Sequence, residues 1–209
     1  MIEIISFLVL SLCCYLIGSI SFGRILSKYT SGIDLTKVGS GNTGATNVLR
    51  NSGPLLGFTV LFLDMFKSIL PVLILSQFNF INYEWSLQFF ALLFVIGHCY
   101  PIYSKFKGGK GVATGIGPLA IIFFPSSLVA LIVFLTLIIM TRYVSAGSII
   151  GCLSALISML IFNMMDLYNS TYYDLIYLVP AISIIIFKHS ENISRLINNN
   201  ENKLSFSKK

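Results

Sequence analysis

Apolar residues fill most of this chain, and polar residues collect in a few short segments between the apolar runs. The runs Ile4–Ile20, Leu55–Leu75, Leu87–Ile96, Leu119–Met140, Ile149–Met164 and Leu175–Phe187 each predict a spanning or near-spanning helix. A full membrane span takes about 20 residues, and fewer suffice where a helix is tilted or lines a cavity. The sharpest contrast falls between Lys37 and Arg50, where the chain reads KVGSGNTGATNVLR. Backbone groups left bare in lipid cost several kcal/mol each. This glycine-rich loop therefore belongs at the membrane edge or along a polar cavity, with backbone N–H groups and Arg50 available to an anion.

Composition turns the pattern into a class. Of 209 residues 56% are hydrophobic and only 11% are charged, against about 25% charged in soluble domains. The expectation is an all-α integral membrane protein, one polytopic domain over residues 1–209. The N-terminal run has no basic start and no A-x-A-like site, so it does not read as a cleavable signal. Cys13, Cys14, Cys99 and Cys152 lie in or beside apolar runs without CxxC or His-spaced patterns, which predicts plain packing rather than redox or metal roles.

Charge placement predicts the topology. Of fourteen Lys and Arg residues, Arg24, Lys28, Lys37 and Arg50 lie in the first polar segment and Lys105, Lys107 and Lys110 in the second. Arg142 marks the third, and Lys188, Arg195, Lys203, Lys208 and Lys209 belong to the tail. Lys67 lies inside a helix one turn after Asp64, a pair able to neutralise itself. The intervening segments carry Glu84, Asp166 and Asp174 and no cation, so the positive-inside rule places the basic segments in the cytoplasm. For the second and third segments to share a side, Gly111–Thr141 must cross and return. Thirty helical residues extend roughly 45 Å, too little for two full spans. Two short or tilted helices broken near Pro125-Ser126-Ser127 are expected, giving seven helices with the N-terminus outside. One long helix over this stretch is the alternative, and it would put Arg142 outside.

The cytoplasmic segments hold the candidate chemistry. Lys107-Gly108-Gly109-Lys110-Gly111 joins flexible amides to a cation, a cradle for phosphate, without the GxxxxGK[ST] spacing of a P-loop. Lys105 reads as a snorkelling helix-end lysine. Arg142–Ser148 opens a helix, where Ser145 or Ser148 could cap. His98 reads either as a packed helix-end residue or as a site residue, and His189 with Asn192 either as a solvated helix end or as part of a site. Asp34 reads as a loop cap. Gly39–Gly44 matches GxGxxG, but membrane helices flank it where a dinucleotide fold needs strands, so the match is accidental.

Together these segments resemble the bacterial acyl-phosphate:glycerol-3-phosphate acyltransferases. The resemblance covers most of the chain and rests on Gly18-Ser19-Ile20 with Phe22-Gly23, on GSGNTGATNVLR, on GHCYP followed by FKGGKGVAT, on RYVS and on HSENI. It implies seven helices in a bacterial plasma membrane, with the site and C-terminus cytoplasmic. It assigns Ser40, Asn42, Thr46 and Arg50 to the first active-site loop, Lys110 to the second, Ser145 to the third, and His189 and Asn192 to the tail site. With the loop glycine Gly41 and the cradle residues Lys107, Gly108 and Gly109, the first group is expected to bind substrate and phosphate, and Lys110, Ser145, His189 and Asn192 to serve catalysis. The chain departs from the pattern at Thr36, where an Arg is usual, at Ser21 and Tyr100, and at Lys188 and Ser190 around His189.

The implied substrates are glycerol 3-phosphate and a long-chain acyl phosphate, with a functional link to an enzyme that forms the acyl phosphate. An acyl phosphate is already activated, so no covalent serine is required. The protein must align two phosphate-bearing molecules and stabilise an oxyanion. Arg50 and Lys110 are expected to neutralise phosphate, with Ser40 and loop amides on its oxygens. His189 and Asn192 would orient the glycerol hydroxyls, and either His189 or a substrate phosphate oxygen would take the proton. No cofactor, metal or nucleic acid is expected. A transporter or channel for a phosphorylated small molecule is the rival reading, but the outer segments offer no cation to receive an anion. A purely structural protein would leave both glycine-rich loops without a purpose.

Overall fold

The computed structural model describes residues 2–78 and 83–204; the tail residues Lys208 and Lys209 lie outside them. Among the described residues the regular structure is entirely helical. In chain order the helices are α1 (Ile2–Gly18), α2 (Phe22–Ser31), α3 (Ala45–Ser52), α4 (Pro54–Gln77) and α5 (Ser86–Cys99), followed by α6 (Val112–Ile122), α7 (Phe124–Thr141), α8 (Val144–Met164), α9 (Asp174–Lys188) and α10 (Ser190–Ile197). Short 3-10 turns at Leu35–Lys37 and Ile102–Ser104 lie in the two glycine-rich segments. Among the described residues five helical runs are long and apolar enough to cross a membrane: Ile2–Ser31, Pro54–Gln77, Ser86–Ser104, Phe124–Thr141 and Val144–Met164.

The stretch Gly111–Thr141 is two helices, as the charge pattern demands, but the break falls at Phe123. Pro125 instead sits in the first turn of α7, where a missing N–H leaves no helical bond unmade. The 11 residues of α6 rise only about 16 Å. Elsewhere the helices outrun the apolar runs. α5 continues through Gly97, His98 and Cys99, and α8 begins at Val144, five residues before its run, because helical bonding continues through polar positions that face the protein interior.

α5 occupies the centre. Phe94, Val95 and Cys99 are fully buried, with α1 and α9 packed against the helix. Lipid gives helices no hydrophobic reason to associate, so close backbone approach at small residues carries the packing. Gly18 of α1 and Gly97 of α5 form such a contact. A Cβ at Gly18 would lie 2.6 Å from the Phe94 carbonyl oxygen, and one at Gly97 would lie 2.4 Å from that of Tyr15. Outward positions such as Ile4, Leu8 and Leu12 of α1 and Phe58 and Phe62 of α4 are exposed and apolar, as lipid-facing side chains must be.

This packing predicts that Gly97→Leu destroys the α1–α5 contact. Purified in detergent, the variant should aggregate or melt at least ~10 °C lower, the consequence of overpacking by several kcal/mol. Leu12→Ala on the exposed face should leave the melting temperature almost unchanged.

Candidate active site

The loop before α3 is organised by a side chain that composition alone does not single out. Asn47 is buried; its amide donates to the carbonyls of Asn42 (2.8 Å), Val38 (3.2 Å) and Leu35 (3.4 Å), and its oxygen accepts from the Ser40 N–H (3.2 Å) and from Asn51 (2.9 Å). Gly39 has φ +59, and a Cβ there would lie 2.2 Å from Asn47 Oδ1. Two of the loop amides are thus spent on the loop itself: Ser40 N–H goes to Asn47 and Gly41 N–H to Val38. Asp34 caps the neighbouring turn, accepting from the Thr36 N–H (3.1 Å) and hydroxyl (2.7 Å). These bonds, with the adjacent Lys37, hold the Asp34 carboxyl below its usual range. The residue that replaces the expected arginine is therefore a partner of this cap.

What remains open to a ligand is a cavity of about 460 Å³. Ser40, Asn42, Thr46 and Arg50 line it from the first segment, Lys110 from the second, Ser145 from the third, and His189 and Asn192 from the last. Four polar segments spread over more than 150 residues meet there. Gly41, Lys107, Gly108 and Gly109 lie off the cavity wall. Lys107 is exposed and its N–H bonds Ser104 O, while the Gly109 N–H bonds His98 O (3.1 Å). Gly108 and Gly109 supply close packing around His98 rather than open amides. Lys105 is exposed at the end of the Ile102–Ser104 turn, in the left-handed region.

The cavity's polar end is electropositive by construction. The first turns of α3 (Gly44, Ala45), α6 (Gly111, Val112) and α8 (Val144, Ser145) border it, and His189 borders it from the junction of α9 and α10. Helix N-termini present unpaired N–H groups and about half a positive charge each. Arg50 and Lys110 add full charges. Burial, then the nearby Arg195, pushes Lys110 down to about 8. Burial likewise lowers Arg50, against the pull of Glu201. Arg50 Nη2 donates to Asn202 O (2.9 Å), but its Nε and the Ser145 hydroxyl are buried without a hydrogen-bond partner. Ser145 does not cap α8; Ser148 turns back to Val144 O (2.9 Å). A buried orphan donor costs about 1–3 kcal/mol, so these two groups are poised for a ligand.

Lys110 donates to Asn192 Oδ1, and Asn192 Nδ2 donates to Glu201 (2.9 Å), which also accepts from Arg195 Nε (2.9 Å). Glu201 is buried and lines the cavity. Its counter-charge was missed in the sequence, where its only signal is an acid between asparagines in a basic tail. The tail is tied down further by the Leu204 N–H on Arg142 O (2.7 Å). His189 Nδ1 lies 2.7 Å from Ile185 O, which makes Nδ1 the donor and Nε2 the free acceptor. Burial, then the charge on Lys110, drives His189 down to about 4, so its ring is neutral at physiological pH. Two departures from the family pattern meet nearby, with the Lys188 ammonium 4.9 Å above the Tyr100 ring.

Away from the charges the cavity turns apolar, lined by Ile69, Leu119, Leu131, Phe134 and Leu178. Gly147 and Gly151 of α8 bring that helix close to Phe134 and Ala130 of α7. One continuous space thus joins an electropositive end to an apolar arm. Among the described residues no group of three or more His, Cys, Asp or Glu side chains is placed to hold a metal ion.

The family model described as glycerol-3-phosphate acyltransferase matches residues 8–199. Glycerol-3-phosphate acyltransferase of Desulforamulus reducens is 43% identical over 190 residues, 91% of each chain. Glycerol-3-phosphate acyltransferase 2 of Thermotoga maritima is 39% identical over 93% of this chain and 95% of its own. Among solved structures, the glycerol 3-phosphate form of PlsY (YgiH), an integral membrane glycerol 3-phosphate acyltransferase, superimposes with a TM-score of 0.86 at 38% identity over 96% of both chains. Its lysophosphatidic acid form gives 0.83 at 37% identity over the same shares. A family model that covers most of the chain, and relatives that match nearly end to end, lead to one assignment: the chain belongs to the glycerol-3-phosphate acyltransferase family.

Proposed function

We propose that this protein transfers an acyl group from an acyl phosphate to the 1-hydroxyl of glycerol 3-phosphate, releasing lysophosphatidic acid and inorganic phosphate. The observation that carries the reading is the joined cavity: Arg50, Lys110, Ser145 and three helix N-termini at one end, an apolar arm at the other. The two forms of one solved relative, named for glycerol 3-phosphate and lysophosphatidic acid, support the acceptor and product. The donor rests on the sequence resemblance.

The reaction is direct displacement. The glycerol oxygen attacks the acyl carbon, an ester C–O bond forms, and the bond from the acyl carbon to the phosphate oxygen breaks. Arg50 binds phosphate through its planar fork and Lys110 as a point charge; together with the helix termini they offset the repulsion between two phosphates. Asn192 and neutral His189, accepting at Nε2, orient the glycerol hydroxyls. Burial and the Lys110 charge keep His189 neutral, so its Nε2 or a substrate phosphate oxygen can take the hydroxyl proton. Ser40, Asn42 and Thr46 complete the polar wall. The acyl chain lies in the apolar arm, where Phe124, Leu128 and Leu131 of α7 are also exposed, giving the product a way into the bilayer. An enzyme that forms acyl phosphate must supply the donor.

The positive-inside rule orients this site and the C-terminus toward the cytoplasm of a bacterial cell, with α6 and α9 as short spans that complete a seven-helix topology. In a background without native cysteines, a cysteine at Lys107 should react only with reagents that reach the cytoplasm, and one at Asn169 with reagents outside. Labelling of position 107 from outside would overturn the orientation.

Purified enzyme given palmitoyl phosphate and glycerol 3-phosphate should form lysophosphatidic acid without additives, and palmitoyl coenzyme A should be a poor donor. Equal use of both donors, or an acylated serine trapped in amounts matching the enzyme, would refute the direct mechanism.

The lowered Lys110 predicts an alkaline limit. Its charge is present below about 8 and lost above, so kcat/KM for glycerol 3-phosphate should fall as pH rises through that value. Lys110→Arg should remove this limb. Lys110→Ala should lower kcat/KM at pH 7 by roughly 10- to 150-fold, the loss of one charged hydrogen bond of about 1.5–3 kcal/mol. A limb unmoved in Lys110→Arg would assign the titration to another group.

A further inference from the structure

Lys67 is a buried cation that the mechanism above does not use. An ammonium has three N–H donors and no acceptor, and three acceptors surround this one: Ile20 O at 2.7 Å, Asp64 Oδ1 at 2.8 Å and His98 Nδ1 at 3.0 Å. Because Lys67 can only donate, His98 accepts at Nδ1 and carries its ring proton on Nε2. Its tautomer and orientation are thereby fixed. α4 supplies Asp64 and Lys67, α5 supplies His98, and the turn after α1 supplies the carbonyl.

The far edge of the His98 ring supports the lysine loop. A Cβ at Gly109 would lie 2.1 Å from His98 Nε2, and one at Gly108 would lie 2.1 Å from His98 O. The Gly109 N–H also bonds His98 O (3.1 Å). On the other side of Lys110, the Thr114 hydroxyl donates to Asp64 O (3.1 Å). The chain carrying Lys110 therefore rests on His98 before it and on Asp64 after it, and Lys67 joins these two supports.

We propose that Lys67, Asp64 and His98 form a clamp that positions Lys110 for the acceptor phosphate, so that all three act as positioning residues for phosphate recognition. The proposal rests on the function inferred above and adds the part of the bundle that sets the lysine's place. A buried ion pair is weak evidence for stability in itself, whereas a site held about 1 Å out of place loses rate or affinity steeply. The clamp's purpose should therefore appear in kinetics.

The test compares His98→Leu, which removes the acceptor and keeps bulk, with His98→Asn, whose side-chain oxygen can replace Nδ1 as acceptor. Both leave the Asp64–Lys67 pair intact. In the purified enzyme, His98→Leu should raise KM for glycerol 3-phosphate about tenfold or more while kcat changes less than about threefold, and His98→Asn should restore KM to within about threefold. Added to Lys110→Ala, His98→Leu should change kcat/KM by less than about twofold, because residues acting through one another are not additive. An unchanged KM in His98→Leu would overturn the clamp, as would a full additional loss in the Lys110→Ala background. So would failure of His98→Leu to fold, since that would make the residue a packing element. The parent enzyme is assayed alongside. A parent that makes no lysophosphatidic acid would remove the functional reading and the clamp with it; an active parent with indifferent variants would remove the clamp alone.

Discussion

Holding cations inside an apolar bundle, yet leaving them free for an anion, is the constraint on which this structure turns. A buried charge must be paired or hydrogen-bonded, but a fully neutralised lysine could not recognise phosphate. The molecule divides the task. Glu201 balances the cluster from the tail, reaching Asn192 and Arg195 by direct hydrogen bonds. Among the described residues Lys110 itself donates to a neutral amide, and Arg50 keeps a donor unpartnered. Helix N-termini supply further positive potential without any side chain to desolvate.

Much of the fold was legible because lipid imposes strong rules. Apolar runs marked the helices, and parity of the basic segments required the Gly111–Thr141 stretch to be divided. The break itself was misplaced: Pro125 reads as an interruption, yet a proline fits the first turn of α7, and Phe123 turns the chain without a sequence signal. The candidate site was legible to a similar depth. Polar residues that are costly near lipid were the ones facing the cavity, from Ser40 and Arg50 to His189 and Asn192.

What stayed hidden depends on contacts between distant residues. Asn47 looks like any helix-opening asparagine, and only the fold reveals that it holds three carbonyls and a loop amide. The glycines of the second segment suggested open amides, but Gly108 and Gly109 are needed because His98 leaves no room for a side chain. Asp64 and Lys67 were visible as a neighbouring pair, while their third member, His98, lies thirty-one residues further on. Nor could the sequence show that the tail returns to place Glu201 in the cavity.

Phosphate recognition by this cationic end is the claim that everything else serves, and equilibrium binding without acyl donor examines it separately from catalysis. Glycerol 3-phosphate titrated calorimetrically into the purified protein should bind saturably, and glycerol should not bind. The affinity should fall about tenfold or more in Lys110→Ala, the loss of one charged hydrogen bond. Comparable binding of glycerol and glycerol 3-phosphate, or an unchanged affinity in Lys110→Ala, would contradict the account.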